Sequence, residues 1–167
     1  MKKRIVLAVF SLIMMAAQAQ EVTVKSPSPN LKVEFKRCIA NSGMAFIDIL
    51  ITNASKQDTK IDCRPRLGIY DDEGNVYDNY EWTPTGKYKV YIATSNTDSQ
   101  PLECAGFDIP AGISYKLRII VVDGFDKYAT IVNLLKIDFN WNVFGTKSYG
   151  MWVGDTFELR NLPITWE

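Results

Sequence analysis

The sequence predicts an all-β chain folded as an antiparallel β-sandwich of about nine strands, and three observations predict it. Past residue 20 the apolar positions recur with a period of two rather than 3.6. β-Branched and aromatic residues fill those positions, as half-buried strands require. Turn residues interrupt the pattern at short, regular intervals, with no long linker, repeat or low-complexity stretch between them.

The elements follow in order. Glu21–Lys25 is a first short strand. In LKVEFKRCIA (31–40) Leu31, Val33, Phe35 and Ile39 alternate on one face, which assigns Cys38 to the opposite, polar face with Lys32, Glu34 and Lys36. Asn41-Ser42-Gly43 is a tight hairpin turn into MAFIDILITN (44–53), where Ala45, Ile47, Ile49 and Ile51 share a face. Leu67–Asp71 and Val76–Asn79 flank the turn Asp71-Asp72-Glu73-Gly74-Asn75, in which Gly74 is free to adopt the left-handed conformation. Pro84-Thr85-Gly86 turns the chain into Tyr88–Ala93. Leu102–Ile109 then leads through the corner Pro110-Ala111-Gly112 to ISYKLRIIVV (113–122). There Ile113, Tyr115, Leu117, Ile119 and Val121 face one way, and Ser114, Lys116 and Arg118 the other. Asp126–Leu135 has some helix propensity, but Tyr128, Thr130, Ile131 and Val132 favour extended chain, and Ile131–Asn140 reads as a strand. Thr156–Leu159 closes the series.

Residues 1–19 precede this pattern and differ in kind. Lys2, Lys3 and Arg4 form a basic start, Ile5–Ala17 is apolar apart from Ser11, and Ala17-Gln18-Ala19 is a small-x-small cleavage pattern. These are the parts of a secretory signal peptide; the apolar run is shorter than the roughly 20 residues that a membrane span needs. Cleavage after Ala19 leaves one domain of 148 residues, 20–167, with 16 basic and 19 acidic side chains. With no second long apolar run, the expected product is periplasmic or extracellular, without a membrane span. An oxidising compartment permits a disulfide among Cys38, Cys63 and Cys104, but three cysteines leave one over and the spacing does not select a pair.

The composition excludes much chemistry. The chain has no histidine, so a Ser–His–Asp triad, a Cys–His pair and histidine-based zinc or haem sites lack their central residue. The charge lacks the basic excess of a nucleic-acid binder. No motif calls for a cofactor.

Four stretches in a fixed order carry a family resemblance: Lys36-Arg37-Cys38 before the hairpin into ILITNAS (49–55), YDDEGNVY (70–77), FDIPAGISYKLRI (107–119) and FELRNLPI (157–164). In these the chain resembles a group of small, secreted Ig-like β-sandwich domains of unknown function from Gram-negative gut bacteria. The resemblance spans nearly all of residues 20–167 and implies an Ig-like fold and export. It transfers no functional residue.

Candidate sites come from the residues themselves. Asp71, Asp72, Glu73 and Asp78 cluster oxygens about a glycine turn, as a calcium site would, but Trp82 stands where a calcium-binding loop of the EF-hand type places glutamate. A hairpin turn explains the same residues with no ion. Scattered carboxylates offer no pair flanking a cleft, as glycoside hydrolysis needs. Aromatic residues crowd two stretches, which makes Tyr80, Trp82, Tyr91, Trp141 and Trp152 candidate ligand contacts, since tyrosine and tryptophan dominate interface hot spots and stack on sugars. Asn53-Ala54-Ser55 matches a glycosylation sequon, but its place at a strand end favours a turn role. The expected function is non-catalytic binding of an envelope protein, a host protein or a glycan. The alternatives are a carbohydrate-binding module that uses the loop aromatics, and an assembly component that pairs through a sheet edge.

Overall fold

The structure, a computed structural model, describes residues 20–26, 28–78, 90–94, 107–143 and 153–167. Ten strands lie within them: β1 (Thr23–Lys25), β2 (Leu31–Asn41), β3 (Met44–Asn53), β4 (Thr59–Asp71), β5 (Val76–Asp78), β6 (Val90–Thr94), β7 (Phe107–Ile109), β8 (Ser114–Val121), β9 (Ile131–Val143) and β10 (Val153–Trp166). No helix occurs among the described residues, and of the stretch with some helix propensity 126–130 are loop and 131–135 already belong to β9. The fold is an Ig-like β-sandwich.

Two sheets face each other. In sheet A, β5 and β7 lie along β4, followed by β9, β10 and β1; in sheet B the order is β6, β8, β3, β2. Among the described residues every strand pairing is antiparallel except one. β10 runs beside β9 in sheet A from Val153 to Pro163, then its last residues, Ile164–Trp166, pair in parallel with Cys38–Ala40 of β2 in sheet B. Asn161, with a left-handed φ of 59°, sits just before the switch; asparagine tolerates that conformation better than other residues with a Cβ. One strand therefore belongs to both layers.

The β2–β3 turn is a two-residue loop with Asn41 paired to Met44 and positive φ at both Ser42 and Gly43. Those signs define a type I′ turn, whose twist matches the flanking strands. Gly74 is left-handed at the β4–β5 turn, as the sequence leads one to expect.

The core fills the space between the sheets. Ala45, Ile47, Ile49 and Ile51 of β3, with Leu117, Ile119 and Val121 of β8, meet Leu67, Ile69, Leu135, Ile137, Phe157 and Leu159 of sheet A in one buried cluster. Phe139 stacks on Phe157 at 4.2 Å between ring centroids. Each such aliphatic side chain contributes about 1.5–3 kcal/mol relative to exposure, so strict alternation on β3 and β8 determines which way those strands face.

Strand β2 departs from its expected phase. A β-bulge between Phe35 and Arg37 inserts Lys36 as an extra residue, and beyond it the alternation reverses. Cys38 and Ala40 consequently point into the core, and Ile39 turns to the outer face. Cys38 is thus buried rather than on the polar face, which corrects the expectation from simple alternation. It is a free thiol. Cys63 lies in β4 and is placed by backbone only, while Cys104 lies outside the described residues. Strands β4 and β10 are also longer than the sequence suggests. Pro65 and Pro163 obscure their extent: a register shift between Asp62 and Arg66 accommodates the first, and the second stands next to the sheet switch.

Candidate functional site

The outer face of sheet B carries a concentrated arrangement of charge. Asp48 interrupts the apolar run of β3 and, being even-numbered, points away from the core. Cross-strand register places Arg37 of β2 on one side of it and Arg118 of β8 on the other. Arg37 reaches this position because it follows the bulge. Its Nε donates to Asp48 Oδ2 at 2.7 Å, while Arg118 donates from Nε to Oδ1 at 2.6 Å and from Nη2 to Oδ2 at 2.9 Å. Lys116 Nζ, one register step away on β8, stands 3.5 Å from Oδ2.

These contacts enclose the carboxylate, whose side chain is 1% exposed, while the three cationic side chains remain 35–52% exposed. Burial by itself would raise the Asp48 pKa. The hydrogen bonds from Arg118 and Arg37 and the charges of Arg118 and Lys116 outweigh it and hold the carboxyl well below the usual range. The hydrogen bond to Asp48 in turn raises Arg118, against a smaller effect of burial. Three cations share one anion, so positive charge remains in excess. The terminal nitrogens of Arg37 have no partner among the described residues. A buried carboxylate thus orients two guanidinium groups whose remaining donors are available to an anion.

An apolar row runs beside the charged one. Ile39, Phe46 and Ile120 are paired across β2, β3 and β8, and Tyr91 of β6 takes the next register position. The Arg118 guanidinium lies 5.8 Å from the centre of the Phe46 ring, within range of a cation–π contact.

The other polar candidates are engaged in holding the fold. Asp71 is buried and accepts from Asn75 N (2.8 Å), Asn75 Nδ2 (2.9 Å) and the Tyr77 hydroxyl (2.7 Å). The Tyr77 hydroxyl accepts in turn from Asp126 N at 3.0 Å, and Asp126 Oδ2 accepts from Asn75 Nδ2 at 3.1 Å. Burial and the bond to Asp71 push the Tyr77 phenol far above its ordinary value. Asp72 accepts from the backbone and hydroxyl of Thr130, and those bonds lower its pKa against the opposing effect of burial. The acidic turn is therefore fastened to the β8–β9 loop. Glu73 is exposed and Asp78 lies on β5 opposite Gly68 of β4, so the four acids do not converge, and no metal-holding group of three is found among the described residues.

Asn53 has the same kind of role. It is fully buried, with Nδ2 donating to the carbonyls of Gln57 and Ile109, and Oδ1 accepting from Ser55 N and Oγ. Its side chain thus closes the 53–57 turn and ties it to Ile109 of β7, so a structural role explains this residue.

Of the aromatic candidates, Tyr91 and Trp141 lie in β6 and β9, where they are placed by register only, opposite Ile120 and opposite Ile61 and Val153. Tyr80, Trp82 and Trp152 lie outside the described residues. The Asp48 group was not among the sequence candidates. Its signal was present: a lone acid within the apolar strand MAFIDILITN, and cations at alternate positions of YKLRI.

No family model matches the chain, and no curated protein matches it. Solved structures give likenesses of overall shape. The ASH/PapD-like domain 7 of human CEP192 has 9% identity and a TM-score of 0.41, with 86% of this chain and 87% of that one covered. The GAE domain of GGA2p from Saccharomyces cerevisiae has 17% identity and a TM-score of 0.40, covering 86% and 97%. AvmM, described as catalysing macrocyclization in alchivemycin A biosynthesis, has 12% identity and a TM-score of 0.39, covering 86% and 98%. None of these supplies a ligand or a reaction for this chain.

Proposed function

We propose that this chain is an exported, non-catalytic binding domain that recognises an anionic group on a partner protein through the outer face of sheet B. The observation that carries the reading is the Asp48 group. A buried carboxylate holds Arg37 and Arg118 in fixed orientation, leaves net positive charge, and sets it beside the apolar row Ile39–Phe46–Ile120. Fixed guanidinium forks suit carboxylate or phosphate, and an adjacent apolar row supplies the desolvated area that protein contacts need. Export rests on the composition of residues 1–19 and on the family resemblance, and it makes envelope or host proteins the partners to examine.

The test is charge reversal combined with salt. The mature chain, immobilised, is exposed to envelope extract at low and at high ionic strength, beside an Arg37→Glu/Lys116→Glu variant that keeps the Arg118–Asp48 pair. Partners held through this face are lost in the variant and reduced at high salt, as expected of exposed charges. Equal capture by the variant sinks the reading. A circular dichroism melt of the variant confirms that the loss is not unfolding.

A further inference from the structure

Three cations of the Asp48 group meet at a single oxygen. Asp48 Oδ2 accepts from Arg37 Nε at 2.7 Å and from Arg118 Nη2 at 2.9 Å, and Lys116 Nζ stands 3.5 Å from it. They arrive from three directions: Arg37 from β2, Arg118 from the same cross-strand row on β8, and Lys116 from the next outward position of β8. One carboxylate offsets one of three positive charges, which leaves an excess of two on the exposed face. The neighbouring Lys36 and Glu34 neutralise each other at 2.6 Å and leave that excess unchanged. The unused donors are the terminal nitrogens of Arg37, Nη1 of Arg118 and the Lys116 ammonium, which have no other hydrogen-bond partner among the described residues. Beside them lie Ile39 and Phe46, both half-buried, with the Phe46 ring centred 5.8 Å from the Arg118 guanidinium.

We infer that this face is a phosphomonoester site, and that it takes an aryl ester in preference to an alkyl one. A carboxylate brings two oxygens and one charge, and a sulfate ester brings three free oxygens but still one charge. A phosphomonoester brings three free oxygens and close to two charges at neutral pH. It alone of the three matches both the donors arriving from three directions and the excess of two. Arginine forks bind phosphoryl oxygens in pairs, and lysine adds a point charge. Asp48 is no obstacle to a second anion, because its side chain is 1% exposed and the cations cover it. A phosphoryl group seated on Arg118 puts an aryl substituent within reach of Phe46 and Ile39, where an offset or edge-on ring contact is available. On a protein such a group is a phosphorylated tyrosine. That bearer rests on the protein-partner reading above; the phosphoryl site does not.

Isothermal titration calorimetry of the mature chain at pH 7.5 and low salt, with phenyl phosphate, inorganic phosphate, phenyl sulfate and benzoate, tests the site. Phenyl phosphate should bind at least tenfold more tightly than each of the other three. Lys116→Gln and Arg37→Gln should each weaken it at least fivefold while melting as folded proteins. Should Arg37→Gln fail to fold, Lys116→Gln decides alone, since it removes only the longest contact to Asp48. Phe46→Ala should bring phenyl phosphate within threefold of inorganic phosphate. A phosphotyrosine peptide should bind more tightly than phosphatidylcholine vesicles that carry phosphatidic acid at equal phosphate concentration, and the reverse order would overturn the aryl assignment. No binding of phenyl phosphate, binding no tighter than that of phenyl sulfate, or undiminished binding by Lys116→Gln overturns the proposal. The two readings fail separately: envelope capture that persists without phenyl phosphate binding removes the phosphoryl site alone, and phenyl phosphate binding without charge-dependent capture removes the protein partner alone.

Discussion

Asp48 is the most strongly shifted carboxylate among the described residues. Because its folded pKa is depressed, its contribution to stability is present above the unfolded carboxylate pKa of about 4 and is lost as pH falls toward the folded value. The cations are partly exposed, and solvent screening limits what each pair contributes. Asp48→Asn should lower stability at neutral pH by about 2 kcal/mol. It should also flatten the loss of stability between about pH 4 and pH 2. Urea melts across that range measure both, and parallel curves for variant and wild type would assign the acid sensitivity elsewhere. Cys38, on the inner face of the same sheet, shows the opposite effect. Burial first, and the nearby Asp48 charge second, push its thiol up to about 12. Thiolate is the reactive form, so Cys38 should resist iodoacetamide at pH 8 in the native protein and react once urea unfolds it. Mass spectrometry of the labelled chain reads the outcome, and native labelling of Cys38 would contradict its burial.

At the scale of elements, β2 shows what a sequence pattern conveys and what it hides. On β3 and β8 every inward position follows from counting by two, and the two further buried residues, Asp48 and Ile120, lie on the outer face. Counting fails on β2, because one inserted residue reverses every side chain beyond it. A clue was present in Lys36-Arg37: two consecutive long cations do not fit a strand buried on one face, unless one of them is a bulge. Deleting Lys36 should remove the bulge and leave Phe35, Arg37 and Cys38 in strict alternation opposite Ile49, Asp48 and Ile47, whereas deleting both Lys36 and Arg37 should turn Cys38 outward or break the pairing of β2 with β3. The single deletion should cost about 1 kcal/mol or less and the double deletion more than about 3 kcal/mol, as loss of core contacts and of an Asp48 partner does. A denaturant melt checks this, and equal costs for the two deletions would contradict it. The Asp48 group was hidden for the same reason: Arg37 faces Asp48 only when the bulge is counted.

The whole molecule is legible as a sandwich from alternation and turns alone, but the switch of β10 between sheets is not. Asn161 and Pro163 read as an ending, and nothing in local sequence signals that Ile164–Trp166 continue beside a strand of the opposite layer. That segment fastens the structure at several points. Trp166 Nε1 donates to Ala129 O at 2.8 Å, its ring lies 6.2 Å from Phe125, and Glu167 N donates to Ala40 O at 3.0 Å. A chain ending at Pro163 should lose about 3 kcal/mol or more from the hydrogen bonds and aromatic contact together. Hydrogen exchange at Ile39 and Ala40 should quicken ahead of the rest of sheet B, and unchanged protection there would mean that β2 does not depend on its parallel partner.

The same strand governs how the chain reaches its native state. β10 pairs Glu158–Arg160 with Thr23–Lys25 and Ile164–Trp166 with Cys38–Ala40, so both layers are completed by contacts between opposite ends of the polypeptide. Closing such large loops precedes the gain in contacts, and all-β topologies of this kind fold in milliseconds to seconds or more slowly. Refolding should therefore be slow and all-or-none, with the two ends of the chain forming their contacts in the final step.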